Sequence, residues 1–238
     1  AIVVEPTARR RQKLAANEAV EAMTTHLRAQ IARRRASPGD DLLSELLGAD
    51  EAGDALSEDE LVSQLVLMFL AGHETTTNLV GNGMLALARH PDALAQLRAE
   101  PTRTPAAVEE MLRYDGPTNT NGRVTHADID VGGTTIPEGS LLMCMLGAAN
   151  RDPAVFAEPD RFDVARAPNP HTSFGGGVHF CVGAPLARLE AQVAIDQILR
   201  RFSRIDVHEP DVLWRDLVNL RGLASLPLDV TWADRDAR

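Results

Sequence analysis

Residues 174–183 read FGGGVHFCVG and place one cysteine, Cys181, at the end of a glycine-rich loop. The residues that follow, APLARLEAQ from position 184, predict a helix that begins directly after the loop. The positive end of that helix and the N–H groups of Val182 and Gly183 would stabilise negative charge on the sulfur. Three consecutive glycines leave room for a flat cofactor close to the backbone. The placement therefore suits a thiolate ligand, and the alternative is a buried structural cysteine.

The composition indicates a globular protein and argues against two kinds of partner. The chain has 238 residues, of which 44% are hydrophobic and 24% charged. Its net charge of −10 argues against nucleic acid, because phosphate contacts need clustered Lys and Arg. The longest apolar run is too short to cross a bilayer, so we expect no membrane partner and no signal peptide. With only two cysteines we expect no disulfide framework, and a cytoplasmic location.

Periodicity and capping signals predict a mainly α fold with a small β region (α+β). A capping box at Ser57–Glu60 predicts the start of the longest helix, and Thr104 is predicted to cap a later helix. Residues 150–170 are rich in Asp, Pro and Arg and are expected to form an ordered loop. Cys144 is expected to be a small core residue of a strand. The predicted helices span residues 7–35, 41–47, 58–89, 91–99, 105–114 and 184–202, and the predicted strands span 122–126, 128–131, 134–136 and 141–146, with short strands in the tail after 205.

The longest predicted helix is apolar all round at residues 65–71, which predicts that it is buried and crosses the middle of the domain. The next residues, AGHETT at 71–76, are small or polar. Thr75 can bond the carbonyl of Ala71, which would loosen the helix and make room for a small ligand. Glu74 and Thr75 could then pass protons to that ligand. The alternative is a polar kink that water satisfies.

Further along, Glu110 and Arg113 lie three residues apart on a predicted helix and can form an ion pair. Such a pair alone usually indicates no more than a surface salt bridge.

Taken together, these motifs resemble the cytochrome P-450 family. The family's F-x-x-G-x-[HR]-x-C-x-G loop is matched at every fixed position between Phe174 and Gly183. Its [AG]-G-x-[DE]-T oxygen motif is matched at 71–75, its ExxR at 110–113 and its P-x-R-F at 159–162, in the family order. The chain is similar to soluble bacterial members. We expect residues 1–238 to be the C-terminal portion of a single heme-thiolate domain, because only about two helices precede the oxygen motif.

The resemblance implies a site for heme b in which Cys181 is the metal ligand. It implies catalytic roles in proton delivery for Glu74 and Thr75. Arg123 and His179 match the family's propionate partners, His171 is a further candidate at the heme edge, and Arg161 would complete a buried triad with the ExxR pair. The implied cofactor-binding residues are Ala71, Arg123, Phe174, Gly175, His179, Cys181 and Gly183.

The implied activity is that of a monooxygenase that inserts one atom of O2 into a small organic substrate by hydroxylation or epoxidation. Electrons would come from a ferredoxin and a ferredoxin reductase, since the sequence shows no flavin or nucleotide motif. Two alternatives stay open. One is a truncated module that binds heme or a partner without turnover, and the other is a metal-binding or hydrolytic enzyme.

Overall fold

The computed structural model describes residues 9–48 and 56–234. Two residues of the first predicted helix, 7 and 8, lie outside the described residues. The chain divides into two compact units, residues 1–74 and 75–238, and the boundary falls within one long helix. Each unit is described below by itself.

Unit 1 is helical. It contains α1 (Arg10–Ala36), α2 (Leu42–Gly48) and the first part of α3 (Glu58–Arg89), all within a few residues of the predicted bounds. A small core forms where Ile31 of α1 meets Leu61 and Val62 of α3. The capping box is confirmed: the Ser57 N–H donates to the Glu60 carboxylate at 2.9 Å, and the Glu60 N–H donates to the Ser57 hydroxyl at 3.3 Å.

The prediction that residues 65–71 are buried is wrong. Leu67 and Phe69 are 58% and 61% exposed, whereas the buried residues of α3 lie before them, at 61–62, and after them, mainly between 78 and 87. An all-round apolar pattern shows that a helix has no polar face, but it does not say which element covers it. In the described residues, neighbouring elements bury only turns on either side of this apolar stretch.

Unit 2 is built on a helical core with small sheets at its edges. Leu87 of α3, Met111 of the fifth helix and Ile195 of the seventh helix belong to one buried cluster. The helices of this unit are the rest of α3, α4 (Pro91–Ala99), α5 (Thr104–Asp115), α6 (Leu146–Ala149) and α7 (Ala184–Arg201).

The predicted cap at Thr104 is wrong, because α5 begins at Thr104 itself and Arg103 is the N-cap residue. The Thr104 hydroxyl lies within hydrogen-bond distance of the Asp196 carboxylate (2.6 Å) and the Pro101 carbonyl (2.9 Å). In either contact the hydroxyl is the donor, whereas a capping side chain accepts from an N–H of the first turn. The result is a polar link between α5 and α7.

The strands of unit 2 form antiparallel pairs, and those between residues 120 and 145 lie close to the predicted positions. The pairs within residues 75–234 are β1 (Thr120–Val124) with β4 (Leu141–Met145), β2 (Ile129–Val131) with β3 (Thr134–Ile136), β5 (Phe202–Val207) with β8 (Leu228–Trp232), and β6 (Leu213–Trp214) with β7 (Leu223–Ser225). Residues 150–170 contain no helix or strand, which confirms the predicted loop.

Cys144 is exposed, so its prediction as a core residue is wrong. It lies opposite Asn121 in the β1–β4 pair. A two-stranded sheet leaves its faces open unless another layer covers them, so an apolar strand is not by itself a buried strand.

Candidate functional site

The loop around Cys181 is held by its own backbone. The Cys181 N–H donates to the Phe174 carbonyl at 3.0 Å, which closes the loop, and residues 177–179 form a short 3-10 turn. Gly175 and Gly177 have φ values of +71° and +63°, a conformation that residues with a side chain rarely adopt. The glycines are therefore required by the backbone path of the loop.

The tip of the loop carries the thiol and leaves it exposed. Val178 and Val182 on either side are 98% and 96% exposed, so the tip is not part of a core. A Cβ atom placed on Gly177 would meet no atom within 4 Å. Helix α7 begins three residues after Cys181, which places the thiol near the positive end of an 18-residue helix. A single accessible thiol on a loop free of bulky side chains fits a flat thiolate-ligated cofactor.

Behind the tip, a buried ion pair fixes the loop's support. Two bonds of 2.7 and 2.8 Å join Arg113 to the Glu110 carboxylate, and neither side chain has any exposed surface. Arg113 also donates to the carbonyls of Asn150, Pro159 and Arg161 at 2.8–3.0 Å. The ExxR motif of α5 is thus a buried brace for the irregular segment of residues 150–163, and the surface salt-bridge interpretation is wrong.

The third member of this brace is Arg166, and the prediction of Arg161 is wrong. The Arg161 side chain is 61% exposed and pairs with Glu158, so only its carbonyl takes part. The Arg166 side chain is 11% exposed, and its Nε lies 3.1 Å from Glu110 Oε2. In an irregular segment no periodicity relates sequence position to side-chain direction, so the motif alone assigned the role to the wrong arginine.

Glu109, the neighbour of Glu110, holds a second cluster. Arg188 of α7 donates to both Glu109 oxygens at 2.7 and 2.9 Å, and His171 Nε2 lies 3.0 Å from Oε2. Partial burial would raise the pKa of Glu109, but these hydrogen bonds and the Arg188 charge outweigh it and lower the pKa to about 2. The His171 ring, expected at a heme edge, is buried with 3% of its side chain exposed.

A buried asparagine, Asn150, connects the Arg113 brace to the segment that enters the loop. Its side-chain oxygen accepts from the Thr172 N–H at 2.8 Å, and its amide donates to the Ser173 hydroxyl at 2.8 Å. Four residues of this support were not predicted from the sequence: Asn150, Glu109, Arg166 and Arg188. Among these four, only Glu109 and Arg188 carry a pattern that the sequence shows, because they are opposite charges on two predicted helices.

Of the predicted cofactor residues, those of one loop are brought together. Arg123 lies on β1, where its guanidinium donates to the Gly122 carbonyl at 2.8 Å. Asn121 projects from the same face of β1, and a Cβ on Gly175 would lie 3.7 Å from its amide. Strand β1 therefore borders the loop on the face that carries Arg123. The loop members are Phe174, Gly175, His179, Cys181 and Gly183.

The remaining predicted residues lie on α3. Ala71 and Glu74 are in unit 1, and Thr75 is the first residue of unit 2. Ala71 is exposed, whereas Glu74 and Thr75 are half-buried. Helix α3 continues through all three, so the predicted loosening does not interrupt it.

Comparison with known proteins decides the family. Residues 3–223 match the family model of Cytochrome P450. The chain belongs to the cytochrome P450 family. Over 214 residues it is 50% identical to Cytochrome P450 107B1 of Saccharopolyspora erythraea, a match that covers 89% of the chain and 53% of that P450. It is 45% identical to 6-deoxyerythronolide B hydroxylase of the same organism, covering 83% of the chain and 50% of the hydroxylase.

Solved P450 structures share the fold. Bacillus subtilis PksS superposes with a TM-score of 0.91 at 40% identity, covering 97% of this chain and 60% of PksS. P450BioI, solved in complex with an acyl carrier protein, gives a TM-score of 0.92 at 40% identity, with 97% and 59% coverage. The chain thus spans about half the length of the curated relatives it matches. These matches confirm the predicted family and its mainly α fold.

The described residues lack two further features. Between residues 9 and 48 and between 56 and 234, no helix has the length and apolar character needed to cross a membrane. The same ranges contain no group of three or more His, Cys, Asp or Glu side chains placed to hold a metal ion.

Proposed function

We propose that this chain binds heme b through the Cys181 thiolate and carries the oxygen-activating site of a monooxygenase. One observation supports this most strongly: an exposed thiol at the tip of a glycine loop, backed by a buried charge network. A structural cysteine would be buried, and a fold does not need an ion pair of zero exposure to support a surface turn.

Each residue of the loop has a part in holding the cofactor. Cys181 would supply the thiolate that binds the iron, while Phe174, Gly175 and Gly183 would border the cofactor. Arg123 and His179 would donate to its carboxylates, since charge-assisted hydrogen bonds to carboxylates are strong. When bound, the heme supplies O2 binding and the thiolate-assisted cleavage of the O–O bond.

The residues of α3 would handle protons. Thr75 would hold a proton at its hydroxyl oxygen, and Glu74 would resupply it. Ala71 would leave space beside them. The reaction would consume O2, two electrons and two protons, and yield water with a hydroxylated or epoxidised organic product. A ferredoxin and its reductase would supply the electrons. The hydroxylase and biosynthetic names of the relatives support a small organic substrate.

The test is a heme titration of the purified chain, followed by reduction and addition of CO. We expect a strongly red-shifted Soret band. Cys181→Ser should abolish that band, and Cys144→Ser is the matched control because it removes the other exposed cysteine. A band that survives Cys181→Ser, or the absence of heme binding by the unsubstituted chain, would contradict the proposal.

A heme-binding module without turnover is the second candidate, because the apolar side chains of Leu67 and Phe69 on α3 are exposed. Controlled oxygen chemistry requires a site that excludes water. A red-shifted CO band without substrate oxidation, in the presence of ferredoxin, reductase and reduced nicotinamide, would favour this candidate.

A further inference from the structure

The cluster around Glu109 lies directly beneath the Cys181 loop and is separate from the Glu110 brace. Its three members come from three different segments: Glu109 from α5, Arg188 from α7, and His171 from the start of the loop. Both carboxylate oxygens of Glu109 are used, one by Arg188 alone and one by Arg188 and His171. A single carboxylate therefore ties the helix after the cysteine to the segment before it.

The contacts on the loop side define the orientation of His171. Its Nδ1 accepts from the Ser173 N–H at 3.3 Å, so the ring proton is assigned to Nε2, which donates to Glu109. Ser173 in turn donates its hydroxyl to the Leu112 carbonyl of α5 at 2.7 Å. The segment that enters the loop is thus bonded to α5 at two successive points.

Arg188 contacts the loop from the other side. Its guanidinium carbon lies 4.5 Å from the centre of the Phe174 ring, and the Phe174 carbonyl is the acceptor of the Cys181 N–H. The guanidinium is planar and bonded to Glu109 through two parallel hydrogen bonds, so its position over the ring is fixed.

We propose that Glu109, His171 and Arg188 are positioning residues of the Cys181 loop. This role rests on the heme site proposed above. Glu109 holds both flanks of the Cys181 loop, and Arg188 holds the Phe174 ring of the residue whose carbonyl accepts from the Cys181 N–H. Together these contacts fix the shape of the loop that presents the sulfur.

The first measurement needs no heme. Hydrogen–deuterium exchange of the heme-free chain should be faster at residues 172–183 in Glu109→Gln and Arg188→Met than in the unsubstituted chain. Peptides covering residues 161–166 serve as the internal control, because Glu110 and Arg113 hold them. Unchanged exchange at 172–183 in Glu109→Gln would overturn the positioning role.

The second measurement separates the paired hydrogen bonds of Arg188 from its charge. Arg188→Lys keeps the positive charge but not the paired hydrogen bonds, so exchange at residues 172–183 should stay as fast as in Arg188→Met. Exchange in Arg188→Lys equal to that of the unsubstituted chain would overturn the role of the paired hydrogen bonds. Failure of the unsubstituted chain to bind heme would instead count against the proposed function, and the exchange result would still decide the positioning role.

Discussion

The tip of the Cys181 loop and the segment beneath it are held in opposite ways. At the tip, Val178 and Val182 are almost fully exposed, and short backbone bonds close the loop. Beneath it, Glu110 and Arg113 are fully buried and use every available donor and acceptor on carbonyls, amides or each other. The tip can therefore present a reactive group because the structure that fixes its shape lies elsewhere. Substitutions beneath should affect folding, and substitutions at the tip should affect ligand binding.

The largest effect is expected at Arg113. Arg113→Met leaves the carboxylate of Glu110 buried with only Arg166 as a charged partner. Removing one partner of a buried pair costs about 3–5 kcal/mol. Urea unfolding followed by tryptophan fluorescence measures this directly, since Trp214 and Trp232 both lie in unit 2. An unfolding free energy within about 1 kcal/mol of the unsubstituted chain would show that the pair is not a brace.

A matched pair of arginines tests the corrected third member of the brace. Arg166→Met removes hydrogen bonds to a buried carboxylate and should cost about 1.5–3 kcal/mol. Arg161→Met removes an exposed side chain and should change the unfolding free energy by less than about 0.5 kcal/mol. The same urea titration compares them, and a larger loss for Arg161→Met would reverse the assignment.

Two glycines of α3 test how tightly this helix packs in unit 2. A Cβ on Gly83 would lie 2.5 Å from Met111 Sδ, whereas a Cβ on Gly81 would lie 3.8 Å from Leu223. Alanine gains about 1 kcal/mol over glycine in a helix, so Gly81→Ala should be neutral or stabilising. Gly83→Ala must displace a buried methionine and should be less stable than Gly81→Ala in thermal unfolding. Equal stability would mean that Met111 moves without cost.

The pH dependence of stability should reveal Glu109. Its pKa is about 2 in the folded chain against 4.5 for the unperturbed group, so the folded state favours the ionised form. This stabilisation, supplied by Arg188 and His171, is fully present above pH 4.5 and is lost as the pH falls towards 2. The difference in unfolding free energy between the unsubstituted chain and Glu109→Gln should shrink over that range. A constant difference would contradict the depressed pKa.

The sequence predicted the helices of this fold well because helix signals are local. The capping box at Ser57 and the proline at position 91 defined the ends of α3 and the start of α4. The three-residue spacing of Glu110 and Arg113 predicted their contact for the same reason. What the sequence could not predict depends on distant segments: which arginine of an irregular loop turns towards Glu110, which turns of α3 are buried, and which helix pairs with Glu109.

The fold places the Cys181 thiol at the tip of its loop without depending on that thiol for stability. The most direct test is urea unfolding of heme-free Cys181→Ser beside the unsubstituted chain. We predict unfolding free energies that agree within about 0.5 kcal/mol, as for exposed positions outside a packed core. A loss of about 2 kcal/mol or more would mean that Cys181 is a structural cysteine and would contradict the account.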